Sequence, residues 1–180
     1  MGEGMIDLTA YIRTVADYPK AGIQFRDITT LLKDATAFNA AIDALALHYA
    51  DVALDKVVAI EARGFIIGAA LASKLSLGFV PVRKPGKLPA ASISQTYMLE
   101  YGDDALQLHT DAITAGEQIL LVDDLIATGG TALAAVALIR QLGGVVAHAG
   151  FVIDLPDLGG LQQLQASGVQ PFVLCQFEGH

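Results

Sequence analysis

The feature that most constrains the fold is a repeated order of short apolar segment, turn and helix. KVVAI (56–60) predicts a buried strand, EARG (61–64) a turn, and FIIGAALASKL (65–75) a helix that packs against that strand. The order recurs in QILLVDD (118–124), LIATGG (125–130) and TALAAVALIRQLGG (131–144), and further strands are predicted for GFVPV (78–82), VVAHAGFVID (145–154) and PFVLCQF (171–177). This alternation predicts an α/β fold with a mainly parallel, twisted sheet flanked by helices.

The chain length favours one domain. A sequence of 180 residues without a long Pro/Ser-rich stretch predicts a single domain over residues 1–180. Residues 34–50 predict a further helix because their apolar residues share one helical face, and Asp34 is its expected N-cap.

Residues 83–111 interrupt the alternation with a long polar segment. Within it, YMLEY (97–101) and ALQLHT (105–110) predict two strands that pair as a hairpin. Long excursions inside a compact domain are usually lids or binding loops. We therefore expect a flexible lid over 83–111.

Composition excludes several classes of partner. A formal net charge of -8 argues against nucleic acid, because phosphate backbones demand clustered cations. Charged residues or Gly/Pro interrupt every apolar run before the roughly 18 residues that a membrane span needs. The start of the chain lacks a secretory signal and Cys175 is the only cysteine, so we expect a reducing, cytoplasmic setting.

The stretch ILLVDDLIATGGT (119–131) combines two carboxylates with a turn suited to anions. In open α/β sheets ligands bind beyond the carboxyl ends of strands, where Asp123 and Asp124 are expected to emerge. Backbone amides, two threonine hydroxyls and a helix N-terminus follow and make a phosphate cradle. Its predicted residues are Ala127, Thr128, Gly129, Gly130 and Thr131.

Other interpretations of this stretch are weaker. A Walker loop needs a Lys before the final Thr, and a dinucleotide fingerprint needs GxGxxG near the first strand. The acid pair of a phosphate-accepting receiver domain normally opens the chain. A purely structural turn explains the glycines but leaves two carboxylates at a cost beside a buried strand end. A sugar phosphate needs both parts, since its hydroxyls bind carboxylates and its phosphate binds amides.

The whole stretch 119–131 resembles the phosphoribosyl pyrophosphate signature of the type I phosphoribosyltransferases. Further segments resemble the adenine-specific branch of that family: YPKAGIQFRDITTLLKD (18–34), EARGF (61–65), VRKPGKLP (82–89) and YMLEYG (97–102). The resemblance implies the type I fold and Mg²⁺-dependent transfer of the phosphoribosyl group to adenine N9, giving AMP and pyrophosphate. It also implies a homodimer. Another purine substrate, or a regulator that binds the ligand without catalysis, remains as an alternative.

The resemblance assigns adenine to the N-terminal segment 1–34 together with Leu155. Phe25 would stack on one face of the base, Arg26 would read its edge through backbone groups, and Leu155 would cover the other face. Outside this pattern, Phe25 and Leu155 would be interpreted as core residues. Thr30 departs from the family, which commonly has Pro there, so the path of this loop is left open.

The resemblance also assigns the leaving group and the proton. Arg63, Arg83, Lys84 and Lys87 would hold pyrophosphate, although a solvated basic loop is the ordinary interpretation of residues 83–87. Mg²⁺ would bind mainly through substrate oxygens, so no protein ligand is predicted for it. Glu100 would be the general acid/base near adenine N7. Without its motif, Glu100 would be an exposed glutamate of the lid.

Overall fold

The structure is a computed structural model that describes residues 6–99 and 102–179. The strands within these residues are β1 (Arg13–Ala16), β2 (Gln24–Asp27), β3 (Lys56–Ile60), β4 (Gly78–Val82), β5 (Ser92–Leu99), β6 (Gly102–His109), β7 (Gln118–Ile126), β8 (Val145–Asp154) and β9 (Gln170–Gln176). The helices are α1 (Thr29–Leu32), α2 (Ala35–Tyr49), α3 (Arg63–Lys74), α4 (Gly130–Gln141) and α5 (Gly160–Ala166). Two short 3₁₀ turns cover Leu8–Tyr11 and Pro156–Leu158.

A five-stranded parallel sheet in the order β4-β3-β7-β8-β9 forms the centre of the molecule. Val58 lies opposite Val80 on one side and Leu121 on the other, and all three side chains are buried. A strand that is covered on both faces has a nearly continuous apolar sequence, and the strands of this sheet show that pattern. The predicted α/β fold with a mainly parallel sheet is confirmed.

Helices cover both faces of the sheet and create two buried clusters. One cluster joins the sheet to α2, α3 and the N-terminal part through residues such as Leu45 and Leu71. The other joins it to α4 and α5 through residues such as Leu138 and Leu164. No helix among residues 6–99 and 102–179 is long and apolar enough to cross a membrane.

The helix predicted over 34–50 is confirmed as α2. Asp34 is its N-cap and accepts a hydrogen bond from the Ala37 amide at 2.9 Å, which satisfies one of the free N–H groups of the first turn. Ile42, Leu45 and Tyr49 lie on its buried face, as the spacing predicts.

The hairpin predicted within 83–111 is present and more regular than expected. β5 and β6 pair antiparallel from Ser92–His109 to Leu99–Gly102. Leu106 and Leu108 are fully buried in the cluster that contains α4. The half of the hairpin that contains them is therefore part of the core. Its flexibility stays a prediction.

Several strand boundaries were predicted wrongly. The hairpin strands were predicted over 97–101 and 105–110 but are Ser92–Leu99 and Gly102–His109, and β9 is shifted by one residue from the predicted 171–177. β7 does not end at Asp124 but continues to Ile126, because Leu125 and Ile126 still pair with Ile153 and Asp154 of β8. Asp123 and Asp124 therefore lie within β7 and not in the turn that follows it. In the other repeat the helix begins at Arg63 itself, so the turn there is shorter than EARG.

Candidate active site

A pocket of about 270 Å³ opens beyond the carboxyl ends of β3 and β7. Neighbouring strands meet α3 and α4 here, and this is the edge at which parallel sheets bind ligands. The lining residues are Ile60, Glu61, Ala62, Arg63, Lys84, Tyr97, Asp123, Asp124, Leu125, Ile126, Ala127, Thr128, Gly129, Gly130, Thr131 and Ala132.

The two carboxylates of β7 lie side by side in unlike surroundings. Asp124 is 4% exposed, and its Oδ2 lies 2.8 Å from Nε of Arg63 in an ion pair whose angles do not make a hydrogen bond. Among the described residues this buried oxygen has no hydrogen-bond donor. Oδ1 of Asp123 accepts from the Asp124 amide at 2.8 Å. Burial, together with the neighbouring Asp124 carboxylate, raises the pKa of Asp123 well above its usual value.

A glycine at the start of α3 lets the helix approach Asp123. A Cβ on Gly64 would lie 2.6 Å from Oδ1 of Asp123, closer than real Cβ atoms approach, and 3.2 Å from its Cα, a tight contact. A side chain at this position would therefore require either the Asp123 side chain or α3 to shift. Gly64 was not predicted as a site residue, although it stands in the EARGF segment.

The predicted phosphate cradle joins β7 to α4. Gly129 has φ +91°, a left-handed conformation that favours glycine, and it is the N-cap residue of α4. The free amides and the positive end of the helix dipole therefore face the pocket edge where Thr128 is exposed. Gly160 at the start of α5 supports this loop, because its amide donates to the Ala127 carbonyl at 3.0 Å.

The Glu61 carboxylate contacts Arg83, Lys84 and Lys87 in the basic segment 83–87, which follows β4. Glu61 Oε1 accepts from the Lys84 amide at 2.6 Å, and Oε2 accepts from Nζ of Lys87 at 2.8 Å. Nε of Arg83 lies 3.4 Å from Oε1. Burial opposes ionisation of Glu61, but the hydrogen bonds from Lys87 and the Lys84 amide keep its pKa below the usual value. Of the three basic residues predicted in segment 83–87, Arg83, Lys84 and Lys87, only Lys84 is among the residues that line the pocket.

The hairpin approaches the pocket through a second polar cluster. Nζ of Lys84 binds the Asp104 carboxylate and lies 2.9 Å from Oη of Tyr97, and this hydroxyl donates to Asp104 at 3.1 Å. The Tyr97 ring and the Met98 carbonyl oxygen also lie close to Gly130. The hairpin therefore reaches both the basic segment and the predicted phosphate cradle, residues 127–131, which we call the phosphate loop.

None of the predicted base residues Phe25, Arg26 and Leu155 is among the residues that line the pocket. The guanidinium carbon of Arg63 lies 5.1 Å from the centre of the Phe25 ring, which connects β2 to the carboxylates. The Arg26 side chain turns away, since it donates to Thr14 and to the Glu178 carbonyl. The Leu155 side chain is buried, and its amide donates to the Ile126 carbonyl at the end of β7.

Thr30, where the family commonly has Pro, anchors the N-terminal segment by side-chain hydrogen bonds. Its hydroxyl donates to the Tyr11 carbonyl at 2.6 Å and accepts from the Arg13 amide at 3.1 Å. A hydroxyl can thus fix the path of this loop without the ring of a proline.

The structure brings together the predicted carboxylates, the phosphate loop, Arg63 and Lys84. Glu100 lies outside the described residues. Seven of the lining residues were not predicted as site residues, namely Ile60, Glu61, Ala62, Tyr97, Leu125, Ile126 and Ala132. All except Ile60 and Ala132 stand in segments that carried the family resemblance, and that was the available signal.

Comparison with known proteins identifies the family of the chain. Residues 29–162 match the family described as phosphoribosyl transferase domain. The adenine phosphoribosyltransferase of Shewanella amazonensis is 60% identical over 168 residues, 93% of each chain, and that of Vibrio vulnificus is 57% identical over 173 residues, 96% of each chain. The crystal structure of the Thermoanaerobacter pseudethanolicus enzyme superposes with a TM-score of 0.91 at 47% identity, covering 95% of this chain and 98% of that one. The Saccharomyces cerevisiae enzyme, solved with adenine and an imino-altritol bisphosphate, gives 0.88 at 38% identity over 94% and 97%. By sequence and by fold, this chain belongs to the adenine phosphoribosyltransferase family of type I phosphoribosyltransferases.

Proposed function

We propose that the reaction of this family takes place at the pocket beyond β3 and β7. The reaction transfers the 5-phosphoribosyl group from phosphoribosyl pyrophosphate to N9 of adenine and yields AMP and pyrophosphate, which salvages the purine. The observation that carries this site is the meeting of two carboxylates with an amide-rich helix N-terminus at one sheet edge.

The ribose 5-phosphate part of the substrate suits β7 and the loop that follows it. Asp123 and Asp124 accept hydrogen bonds from the two ribose hydroxyls, and the Oδ2 atom of Asp124 is a buried acceptor without a hydrogen-bond donor among the described residues. The 5-phosphate binds the amides of residues 127–131 and the Thr128 hydroxyl. A buried acceptor that gains a donor is stabilised most, which favours a hydroxyl-rich ligand here.

The pyrophosphate part suits the cations beside Glu61. As the bond between ribose C1 and the pyrophosphate oxygen breaks, the electron pair leaves with that oxygen and C1 acquires oxocarbenium character. Arg63, Lys84, Arg83 and Lys87 stabilise the departing charge, because positive groups held in place before the reaction need no reorganisation. Of these, Arg63 and Lys84 line the pocket.

Adenine binds beside Arg63, against the β2 segment. Phe25 stacks on the base, backbone groups of Arg26 contact its edge, and Leu155 covers the opposite side. The side chain of Arg26 is bound elsewhere, to Thr14 and Glu178, which agrees with a role for its backbone.

Mg²⁺ is the cofactor that this substrate calls for. The donor set fits a metal held mainly by its substrate. Three carboxylates line the pocket, those of Glu61, Asp123 and Asp124, and Asp124 has an oxygen free of hydrogen bonds. No group of three or more His, Cys, Asp or Glu that could hold a metal occurs among the described residues. Hard oxygen ligands suit Mg²⁺, which commonly keeps its waters and binds phosphates. When bound, the ion neutralises charge on the pyrophosphate.

A panel of bases tests the proposed reaction. We expect release of pyrophosphate from phosphoribosyl pyrophosphate with adenine and Mg²⁺, and far less with hypoxanthine, guanine or orotate, because edge contacts discriminate between bases. Ligand binding without turnover on any base would instead indicate a regulator. A preference for another purine would show that the enzyme is not specific for adenine.

Glu100 is the proposed general acid/base for the purine proton, on the strength of the YMLEYG segment. Glu100→Gln keeps size and hydrogen bonding but removes proton transfer, so the single-turnover rate should fall by about 10²–10⁴-fold with little change in substrate affinity. Single-turnover kinetics are needed because product release can limit steady-state turnover. Glu100→Ala is the matched variant. A residue that acts by packing would tolerate Gln and suffer from Ala.

We further propose a homodimer in the cytoplasm. The acidic composition and the single cysteine agree with that compartment. Light scattering coupled to gel filtration tests the assembly, and a mass equal to one chain at micromolar concentration would contradict it.

A further inference from the structure

Glu61 lines the pocket, but the reaction proposed above gives it no role. It follows β3 directly, and its amide still pairs with the Val82 carbonyl at 3.0 Å, so the residue is fixed to the edge of the sheet. Its side chain is 10% exposed. A carboxylate so far removed from water, beside a site for a highly charged anion, needs a compensating role.

Both carboxylate oxygens of Glu61 bind the same basic segment. Oε1 fixes the backbone through the Lys84 amide at 2.6 Å, and Oε2 fixes the side chain of Lys87 at 2.8 Å. The other side of this segment is held by β6, because the Gly86 amide donates to Oε1 of Gln107 at 3.1 Å. Residues 83–87 are therefore clamped between Glu61 and the hairpin.

We propose that Glu61 is a positioning residue that holds Lys87 and the 83–87 segment in the geometry that binds the pyrophosphate part of the substrate. This inference rests on the proposed role of Lys87 in pyrophosphate binding. A lysine stem has four rotatable bonds, and an anchored ammonium loses less freedom when a ligand binds it. The negative charge of Glu61 also repels an incoming anion. We expect the anchoring effect to outweigh this repulsion, because the Glu61 carboxylate already binds two donors, Lys87 Nζ and the Lys84 amide, which offset its negative charge.

Glu61→Gln separates the two functions of the carboxylate. A glutamine keeps one carbonyl oxygen for the Lys84 amide but places an NH₂ group opposite the Lys87 ammonium, where two donors face each other. Lys87 should then lose its anchor while the backbone of the segment keeps its path. The expected result is a rise in the dissociation constant for phosphoribosyl pyrophosphate with Mg²⁺ of about three- to tenfold.

A double-mutant cycle with Lys87→Met tests whether Glu61 acts through Lys87. Dissociation constants are measured by calorimetry with phosphoribosyl pyrophosphate and Mg²⁺, and steady-state kinetics give the KM for adenine. Lys87→Met alone should weaken binding, and adding Glu61→Gln to it should cost less than about twofold more, since interacting residues are not additive. The KM for adenine should stay unchanged in all variants.

Glu117→Gln is the matched control. Glu117 binds Lys56 at 2.9 Å at the opposite end of β3, so its loss removes a comparable ion pair far from the pocket and should leave ligand affinity unchanged. Unchanged or tighter binding in Glu61→Gln, or an equal loss with and without Lys87, would overturn the inference. If Lys87→Met itself binds normally, the proposed pyrophosphate role of Lys87 fails and the inference fails with it.

Discussion

The proposed phosphate loop, residues 127–131, depends on the glycine at position 160. A Cβ on Gly160 would overlap the Ala127 carbonyl oxygen and would lie 2.7 Å from Cγ1 of Ile126 and 3.0 Å from the Gly129 amide nitrogen. These atoms belong to backbone or to a packed side chain, so they cannot rotate away. The start of α5 and the phosphate loop can meet only because Gly160 is small.

Gly160→Ala should therefore displace the loop and reduce kcat/KM for phosphoribosyl pyrophosphate by about ten- to hundredfold, since a shift of about 1 Å in a binding group has effects of this size. Initial-rate kinetics measure the effect, and circular dichroism checks the fold. Gly78→Ala is the control, because a Cβ there would lie 3.5 Å from its nearest neighbour, Cγ of Lys56, an ordinary contact. Equal kinetics for the two variants would show that the loop adapts.

The sequence identified residues with local signatures and missed those defined by distant contacts. Asp123, Asp124 and the glycines after them stand within one short motif, and the structure places them together. Glu61 is joined to Lys84 and Lys87 across 23 and 26 residues, and Gly160 reaches Ala127 across the sheet edge. Such pairings depend on how elements cross in three dimensions, which local periodicity does not encode.

Elements were predicted well where packing on both faces produces long apolar runs. β3, β4 and β8 have the predicted bounds for this reason. β7 was predicted too short, because Leu125 and Ile126 precede the glycines of a turn and only their pairing with β8 makes them a strand. The regular hairpin was underestimated, since polar and apolar residues alternate poorly in the sequence of β5, SISQTYML, and the burial of Leu106 depends on α4.

The ribbon of β1 and β2 carries Phe25 and is held by a charged pair. Asp27 on β2 accepts two hydrogen bonds from Arg13 on β1 and two from Thr29. Hydrogen bonds from the Arg13 guanidinium, followed by those from Thr29, lower the pKa of Asp27 to about 2. The ribbon and the start of α1 therefore share one carboxylate.

This pair should make stability depend on pH in the acid range. Because the folded pKa is below the unfolded value, the contribution is fully present above about pH 4 and is lost as the pH falls through about 2. Asp27→Asn should cost about 1 kcal/mol at pH 7, a figure reduced for the exposure of Arg13, and the difference from wild type should shrink as the pH falls towards 2. Urea unfolding at several pH values measures it.

Asp43→Asn is the control for that series, because the Asp43–Lys74 pair is more than half exposed on both sides and contributes little. A difference between Asp27→Asn and wild type that does not change with pH would mean that the Asp27 carboxylate acts by shape alone.

One sheet holds the whole molecule together. The cluster with α2 and α3 and the cluster with α4 and α5 lie on opposite faces of the same five strands, and neither is closed without that sheet. The pocket lies where both halves meet, because Arg63 belongs to α3 and the phosphate loop leads into α4. Folding of either half alone would leave the sheet with one apolar face in water.

The predicted single domain should therefore unfold in one cooperative step that the ligand shifts as a whole. Far-ultraviolet circular dichroism and tyrosine fluorescence should give the same midpoint. The second probe reports on the five tyrosines of the chain, including Tyr49, which is 1% exposed on the buried face of α2. A ligand that binds only the folded state at a concentration of 100 times its dissociation constant adds about 2.7 kcal/mol to the free energy of unfolding. Phosphoribosyl pyrophosphate with Mg²⁺ should move both probes by the same amount, because its proposed site lies between the two halves. Two separate transitions, or a shift in only one probe, would show that the halves fold independently.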